Sequence, residues 1–396
     1  MKPVEVKPEV YWVGVVDWNI RDFHGYSTYK GTTYNAYLLR DEKIVLFDTV
    51  KKGFLSELLH RIRNLGIQPE DIDYLVVNHV EPDHSGSLPQ AIERIRPEKI
   101  FCSPMGAKAI QAHYHPGDDW PLTVVKSGDS ISLGRRSVTF LETRMLHWPD
   151  SMFSYIPEEK LLISSDAFGH HWATSERFDD QVDTAELMAH CAKYYANILL
   201  LYSPLVQKLL QKVAEMGLEI EVIAPDHGVI WRREPGRILA AYDRWSRQET
   251  TNKAVVVYDT MWHSTQTMAQ AVADGLSEAG MSVQLMCLKS CHRSDVITEL
   301  LEASVLAVGS PTLNNGMLPT VADFLCYLKG LKPKNKVAAA FGSYGWSGEA
   351  VKEITRALED MKLEVLEGVR HQYVPDHQVL GRCRRLGQEL AARAGG

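Results

Sequence analysis

The sequence predicts an α/β protein of two domains: an αββα sandwich over residues 1–250 and a doubly wound parallel sheet over residues 251–396. Three observations predict this. The first half is a series of short apolar, β-branched runs with few helical patterns. After Lys253, strands and helices alternate regularly. Within the first half, the run Asn78-His79-Val80-Glu81-Pro82-Asp83-His84-Ser85-Gly86 places four potential metal ligands in six residues, directly after an apolar strand.

In chain order, Val10 to Val16, Thr33 to Leu39 and Lys43 to Asp48 read as strands. Tyr74-Leu75-Val76-Val77 reads as a buried strand. Ser85-Gly86 then lead into a helical pattern around Leu88, Ala91, Ile92 and Ile95. Ser137 to Leu141 is a further strand, a hairpin turns at Pro157-Glu158-Glu159-Lys160, and a longer helical stretch runs from about Thr184 to Met216. The boundary falls in Ser246 to Lys253, which is short and rich in neither Pro nor Gly, so closely coupled domains are expected. Beyond it, strands are expected at Ala254 to Tyr258, Ser282 to Cys287, Val305 to Gly309, Lys336 to Phe341 and Glu364 to Leu366. Sheets of this kind bind ligands at the carboxyl ends of their strands.

Composition narrows the function classes. A chain of 396 residues with 45% apolar content can bury sizeable cores. A formal net charge of -7 argues against nucleic acid or an anionic membrane as partner. No apolar run approaches the roughly 18 residues of a membrane span. The segment Met1 to Lys7 lacks the apolar core of a signal peptide. The cysteines at 102, 191, 287, 291, 326 and 383 are scattered, as expected of reduced thiols in a cytoplasmic protein.

His79, Glu81, Asp83 and His84 offer nitrogen and oxygen donors without thiolate. A lone His or Asp at a strand end is more often a structural residue, so the argument rests on their combination. The H-x-E-x-D-H pattern resembles the H-x-H-x-D-H loop of the metallo-β-lactamase superfamily, with Glu81 in place of the middle His. That resemblance implies three distant ligands. Candidates are His147 in Met145-Leu146-His147-Trp148-Pro149-Asp150, Asp166 closing the strand Leu161 to Asp166, and His227 in Ile223-Ala224-Pro225-Asp226-His227-Gly228. Such a set can hold two metal ions with Asp166 between them.

Three loops occupy strand ends in the second half. Thr260, Met261, Trp262, His263, Ser264 and Thr265 lead into a helix, where hydroxyls and backbone N–H groups form a natural phosphate site. Pro311, Thr312, Leu313, Asn314, Asn315 and Gly316 form the second loop. The third is Ser343, Tyr344, Gly345, Trp346, Ser347 and Gly348, whose aromatic rings can stack on a flat ligand. In this order, after these strands, they resemble the FMN loops of a flavodoxin-like domain. Met261-Trp262-His263 departs from the small residues commoner there.

Together, a metallo-β-lactamase-like αββα sandwich with H-x-E-x-D-H and a flavodoxin-like doubly wound sheet resemble the flavodiiron proteins, over nearly the whole chain. Trp18 to Tyr26, Leu146 to Met152 and Asp259 to Thr265 share in the resemblance. It implies one iron at His79, Glu81 and His147, a second at Asp83, His84 and His227, and Asp166 bridging. Donor type alone leaves zinc and manganese open. His24, Tyr26 and His171 are candidate pocket residues, with ordinary buried polar residues as the equal alternative. The implied activity is reduction of oxygen to water or of nitric oxide to nitrous oxide, with electrons relayed by FMN. A head-to-tail homodimer or dimer of dimers is implied as well. The sequence has no C-x-x-C pair, since Cys287 and Cys291 are separated by three residues. An external donor such as rubredoxin is therefore expected. The competing readings are a dizinc hydrolase, against which Glu81 and the second domain argue, and a pure electron carrier, against which the full ligand set argues.

Overall fold

The computed structural model describes residues 2–395, which divide into two compact units. The first comprises the chain up to His24, Thr28–Tyr194 and Pro204–Asp243; the second comprises Gly25–Ser27, Tyr195–Ser203 and the chain from Arg244 onward.

Two sheets form the first unit. One has seven strands in the order Val4–Lys7, Val10–Trp12, Tyr37–Arg40, Ile44–Phe47, Tyr74–Val77, Lys99–Cys102 and Leu122–Val124. The other has five: Ser130–Ser132, Ser137–Glu142, Met152–Ile156, Leu161–Ile163 and Val222–Ala224. Alternation along the strands divides the core. Val45, Phe47, Val76 and Phe101 point into one cluster with Phe140, Met152, Ile156 and Ile163 of the second sheet. Their neighbours Leu46, Leu75, Val77 and Ile100 point into the opposite cluster, with Leu58 and Ile62 of helix Leu55–Arg63, Leu88 and Ile95 of helix Leu88–Ile95, and Ile110 of helix Pro104–Tyr114. Burial on both faces is why Tyr74-Leu75-Val76-Val77 is apolar throughout rather than alternating.

Several expected elements are broken by tertiary demands. Val10 to Val16 is two strands, Val10–Trp12 and Val15–Asp17, and Thr33 to Leu39 is likewise divided into Thr32–Tyr34 and Tyr37–Arg40. Asp166 does not close a strand: the strand ends at Ile163, and Ser165 turns the chain with φ of 51°. The stretch from Thr184 to Met216 is helix Thr184–Tyr194, a wider and then a tighter turn over 195–202, and helix Ser203–Glu215. Its middle, Tyr195–Ser203, belongs to the second unit.

The second unit carries one parallel sheet, ordered Ser282–Cys287, Thr251–Tyr258, Ala303–Gly309, Val337–Tyr344 and Glu364–Gln372. Helices Ser264–Glu278 and His377–Ala394 cover one face with Met268, Val272, Leu276, Leu386 and Leu390. They approach so closely that a Cβ on Gly275 would lie 1.9 Å from the Arg384 carbonyl oxygen. Between the third and fourth strands, Thr312–Leu313 and Gly316–Met317 form a small hairpin. Its turn residues Asn314 and Asn315 have φ of 50° and 61°, a conformation asparagine tolerates. Among the described residues, no helix is long and apolar enough to cross a membrane.

Candidate functional site

In the first unit the ends of four segments converge. Residues 78–81 follow strand Tyr74–Val77, and Pro82–Ser85 form one helical turn, so Asp83 and His84 sit on a turn rather than a loop. His147 precedes strand Met152–Ile156. Asp166 and His227 follow Leu161–Ile163 and Val222–Ala224, which pair in parallel and so deliver both residues to the same edge.

Donor atoms of His79, Glu81, His147 and Asp166 lie within 4.8 Å of one another, as do those of Asp83, His84 and His227. The two clusters meet at Asp166. Its Oδ2 lies 2.8 Å from His147 Nε2 and 3.8 Å from His79 Nε2. Its Oδ1 lies 3.0 Å from His84 Nε2 and 3.6 Å from His227 Nε2. Glu81 Oε2 is 3.0 Å from His79 Nε2 and 3.1 Å from His147 Nε2. Asp83 Oδ2 is 3.1 Å from His227 Nε2 and 3.3 Å from His84 Nε2.

The rings are held from behind. His79 Nδ1 lies 2.9 Å from Asp150 Oδ2, which also accepts the Val80 N–H at 2.7 Å. His227 Nδ1 donates to the Thr33 carbonyl at 2.6 Å. Each contact turns Nε2 toward the cluster. Burial opposes a positive charge on His84, His79 and His147, but neighbouring carboxylates outweigh it. They hold His79 and His84 well above the usual imidazole range and push His147 up to about 9. Burial likewise favours the neutral acid at Asp166, yet His84 and His147 keep it well below the usual carboxylate range.

This donor set fits a pair of cations. Both oxygens of Asp83, both nitrogens of His84 and Asp166 Oδ1 are buried without a hydrogen bond. Each such group costs about 1–3 kcal/mol; a metal ion would remove that cost at Asp83, Asp166 Oδ1 and His84 Nε2, while His84 Nδ1 faces Asp226 Oδ2 at 4.0 Å. Four imidazoles and three carboxylates suit borderline to hard ions such as iron, zinc or manganese.

Of the pocket candidates, His24 is about half exposed and hydrogen-bonds Glu81 Oε1 through Nε2. His171 is buried, its Nδ1 lies 2.7 Å from Thr32 Oγ1, and its ring centroid is 4.6 Å from that of His227. Burial holds its pKa well below the usual value, so the ring is neutral. Tyr26 is buried in strand Tyr26–Ser27, which belongs to the second unit, not to the unit that holds the clusters. Sequence reasoning missed Asp150 as the partner of His79, although the residue stands in the same short motif as His147.

The second unit has a cavity of about 720 Å³ at the carboxyl ends of its strands. That size suits a cofactor-sized ligand. It is lined by Thr260, Met261, Trp262 and Ser264 from the first loop, 311–315 from the second, and 343–347 from the third. Four expected residues do not line it. His263 turns aside to Gln266, with Nδ1 and Oε1 2.8 Å apart. Thr265 is buried, its hydroxyl 3.1 Å from Ser343 Oγ. Gly316 lies in the hairpin against Glu353, and Gly348, at φ 82°, backs onto the Tyr344 ring. Conversely, Tyr373 and Val374 line the cavity. Their signal was available: an exposed aromatic directly after the fifth parallel strand, where such sheets bind ligands. Trp262 and Trp346 are 89% and 87% exposed. The Thr260 hydroxyl is buried without a hydrogen bond in the loop that leads into helix Ser264–Glu278. Flat aromatic walls and an orphaned hydroxyl beside a helix N-terminus fit a flavin with a phosphate tail.

A family model described as ODP family beta lactamase matches residues 32–228, and one described as flavodoxin matches 256–392. Fold and site thus define a two-domain oxidoreductase built from a beta-lactamase-type metal domain and a flavodoxin domain. A nitric oxide reductase of Moorella thermoacetica is 50% identical, with 99% of each chain covered. The rubredoxin oxygen:oxidoreductase of Desulfovibrio gigas superposes with a TM-score of 0.97 at 46% identity, over 100% of this chain and 99% of that one. A flavodiiron protein of Giardia intestinalis superposes with a TM-score of 0.96 at 37% identity, over 100% and 97%. The chain belongs to the flavodiiron protein family.

Proposed function

We propose that residues 1–250 hold two iron ions, one at His79, Glu81 and His147 and the other at Asp83, His84 and His227, with Asp166 between them, and that residues 251–396 hold FMN. The protein is an oxidoreductase that reduces oxygen to water, nitric oxide to nitrous oxide, or both. The observation that carries the reading is the placement of Asp166, with one carboxylate oxygen facing each cluster. When bound, iron and FMN supply electrons singly or in pairs, as four-electron reduction of O₂ or two-electron coupling of two NO molecules requires.

The chain's own residues orient and shield. Asp150 and the Thr33 carbonyl fix His79 and His227. His24 orients the outer oxygen of Glu81. Phe23 lies against His24 and His171, with ring centroids 4.4 and 4.7 Å away, and restricts water on that side. Exposed Trp262, Trp346 and Tyr373 provide faces for the isoalloxazine ring.

The donor is a separate protein, with rubredoxin the first candidate, as the name of the Desulfovibrio relative, rubredoxin oxygen:oxidoreductase, supports. A head-to-tail homodimer brings the flavin of one chain beside the metals of its partner, and sedimentation of the holoprotein tests it. Six unpaired thiols favour the cytoplasm. Anaerobic stopped-flow reoxidation of chemically reduced holoprotein, mixed separately with oxygen and nitric oxide, tests the activity. Fast reoxidation by one gas names the substrate. Slow reoxidation by both, with two irons and one FMN per chain, contradicts the reading.

A further inference from the structure

We propose that Asn35, held by Trp12, is the positioning residue that sets His227 and thereby the affinity of the second metal position. The inference rests on the reading of His227 as a ligand. Asn35 touches none of the donor atoms. It is fully buried, as is Trp12. The Trp12 indole N–H donates to Asn35 Oδ1 at 2.7 Å, which leaves both amide hydrogens to point the other way. They go to the Pro225 carbonyl at 2.7 Å and the Gly228 carbonyl at 3.0 Å, the two residues that bracket Asp226 and His227. The Asn35 backbone N–H adds a bond to the Asp226 carbonyl at 2.7 Å. One residue thus satisfies three carbonyls of a four-residue loop.

Only an amide has this combination. An aspartate in its place accepts from the indole but sets a carboxylate oxygen against two carbonyls. A leucine leaves the indole N–H and the Gly228 carbonyl unpaired in the interior, while the Pro225 carbonyl keeps the Tyr37 hydroxyl at 2.6 Å. The clamp is itself held in place. Gly14 packs so tightly on Asn35 that a Cβ there would lie 2.7 Å from the Asn35 Cα. The guanidinium groups of Arg177 and Arg61 lie 4.7 and 5.3 Å from the centre of the Trp12 ring. On the far side, the Gly228 N–H donates to Thr33 Oγ1 at 2.7 Å, beside the Thr33 carbonyl that fixes the His227 ring. Segment 32–35 is therefore a template for the His227 loop. His79, Glu81 and His147 have separate supports, so damage to the template falls on one metal position.

The test is sequential titration of metal-free, FMN-loaded full-length protein with cobalt(II), followed by its visible spectrum, in Asn35→Asp, Trp12→Phe and the reference variant His227→Ala. Outer supports of metal ligands typically matter 10- to 100-fold. Asn35→Asp should weaken the second cobalt equivalent by about that factor and leave the first equivalent and the FMN content unchanged. Trp12→Phe keeps an aromatic ring near both guanidinium groups and removes the indole N–H together with part of the ring, so it should weaken the second equivalent by roughly threefold or more. It serves as the deciding variant if Asn35→Asp does not fold. Equal weakening of both equivalents, or no weakening of either, overturns the inference. His227→Ala separates the two readings: if it binds both equivalents like the parent, the ligand assignment fails. If it loses the second equivalent while both clamp variants keep it, only the clamp inference fails.

Discussion

At the candidate metal clusters every donor residue is buried or nearly so, and backing groups such as Asp150 and Thr33 aim the rings. The flavin cavity is built the other way. Its loops place Trp262 and Trp346 on the surface, 89% and 87% exposed, and line it with hydroxyls and amides such as Ser264, Thr312, Asn314 and Ser347 beside one orphaned buried hydroxyl, Thr260. The contrast follows from the ligands. A metal ion demands donors fixed within fractions of an ångström, and that requires residues that hold the donors. A planar cofactor is held by area, and loops can supply area without rigid support. The metal position should therefore fail through remote changes, the flavin position mainly through its own contacts.

Asp166→Ala should have the largest effect. It removes the one carboxylate common to both clusters, so iron content should fall below two per chain and reductase activity should drop at least about 1000-fold, while FMN stays bound. Iron and flavin assays on the same sample check this. Loss of FMN as well would break the separation of the two sites. Asp150→Asn comes next. It touches no candidate metal directly, yet it should weaken metal binding by about 10- to 100-fold, read by competition with a chelator. Trp346→Ala should raise the Kd for FMN by roughly three- to tenfold, the worth of one aromatic contact, and spare the metals.

The smallest effect sharpens the comparison from outside either site. Lys336 is buried, its ammonium donating to the Ala303 carbonyl at 2.7 Å, and burial pulls its pKa down to about 7. Unfolding returns it to its ordinary value near 10.5. Between those two values the unfolded chain binds the proton and the folded chain does not. Stability contributed by this residue therefore rises with pH from about 7 to about 10 and is lowest, and constant, below about 7. Lys336→Met should raise Tm most at pH 6 to 7, with the gain shrinking toward pH 10. Melting curves across that range, followed by flavodoxin-domain circular dichroism, check the slope. A gain that grows with pH contradicts this account.

Legibility in the sequence follows the same contrast. The candidates His79, Glu81, Asp83 and His84 announce themselves as a local cluster after one strand, whereas His147, Asp166 and His227 become candidates only through the family resemblance. Asp150, Thr33 and Asn35 do not announce themselves, because their partners lie far off in the chain: His79 is 71 residues from Asp150, and Pro225 is 190 from Asn35. The order along the chain of the strands in the second unit's parallel sheet was legible, and its central strands are apolar runs. The fifth strand, expected at Glu364 to Leu366, continues to Gln372, because Glu367, Arg370 and Gln372 break the apolar run without breaking the strand. The break of Val10 to Val16 was not, because it depends on backbone packing against Asn35 at Gly14. Thr265 and Gly348 looked like cavity residues from their loops, but one faces Ser343 and the other backs the Tyr344 ring. Tyr26 lies two residues from His24 in sequence yet belongs to the other unit, a division no local pattern encodes.

The central claim is that Asp166 joins two metal positions into one centre. Variable-field Mössbauer spectroscopy of the iron-loaded, oxidised holoprotein tests it most directly, because irons that share a bridge couple magnetically and isolated irons do not. The account predicts two irons per chain with a coupled, diamagnetic ground state. Two independent high-spin ferric spectra in protein that holds both irons would contradict it.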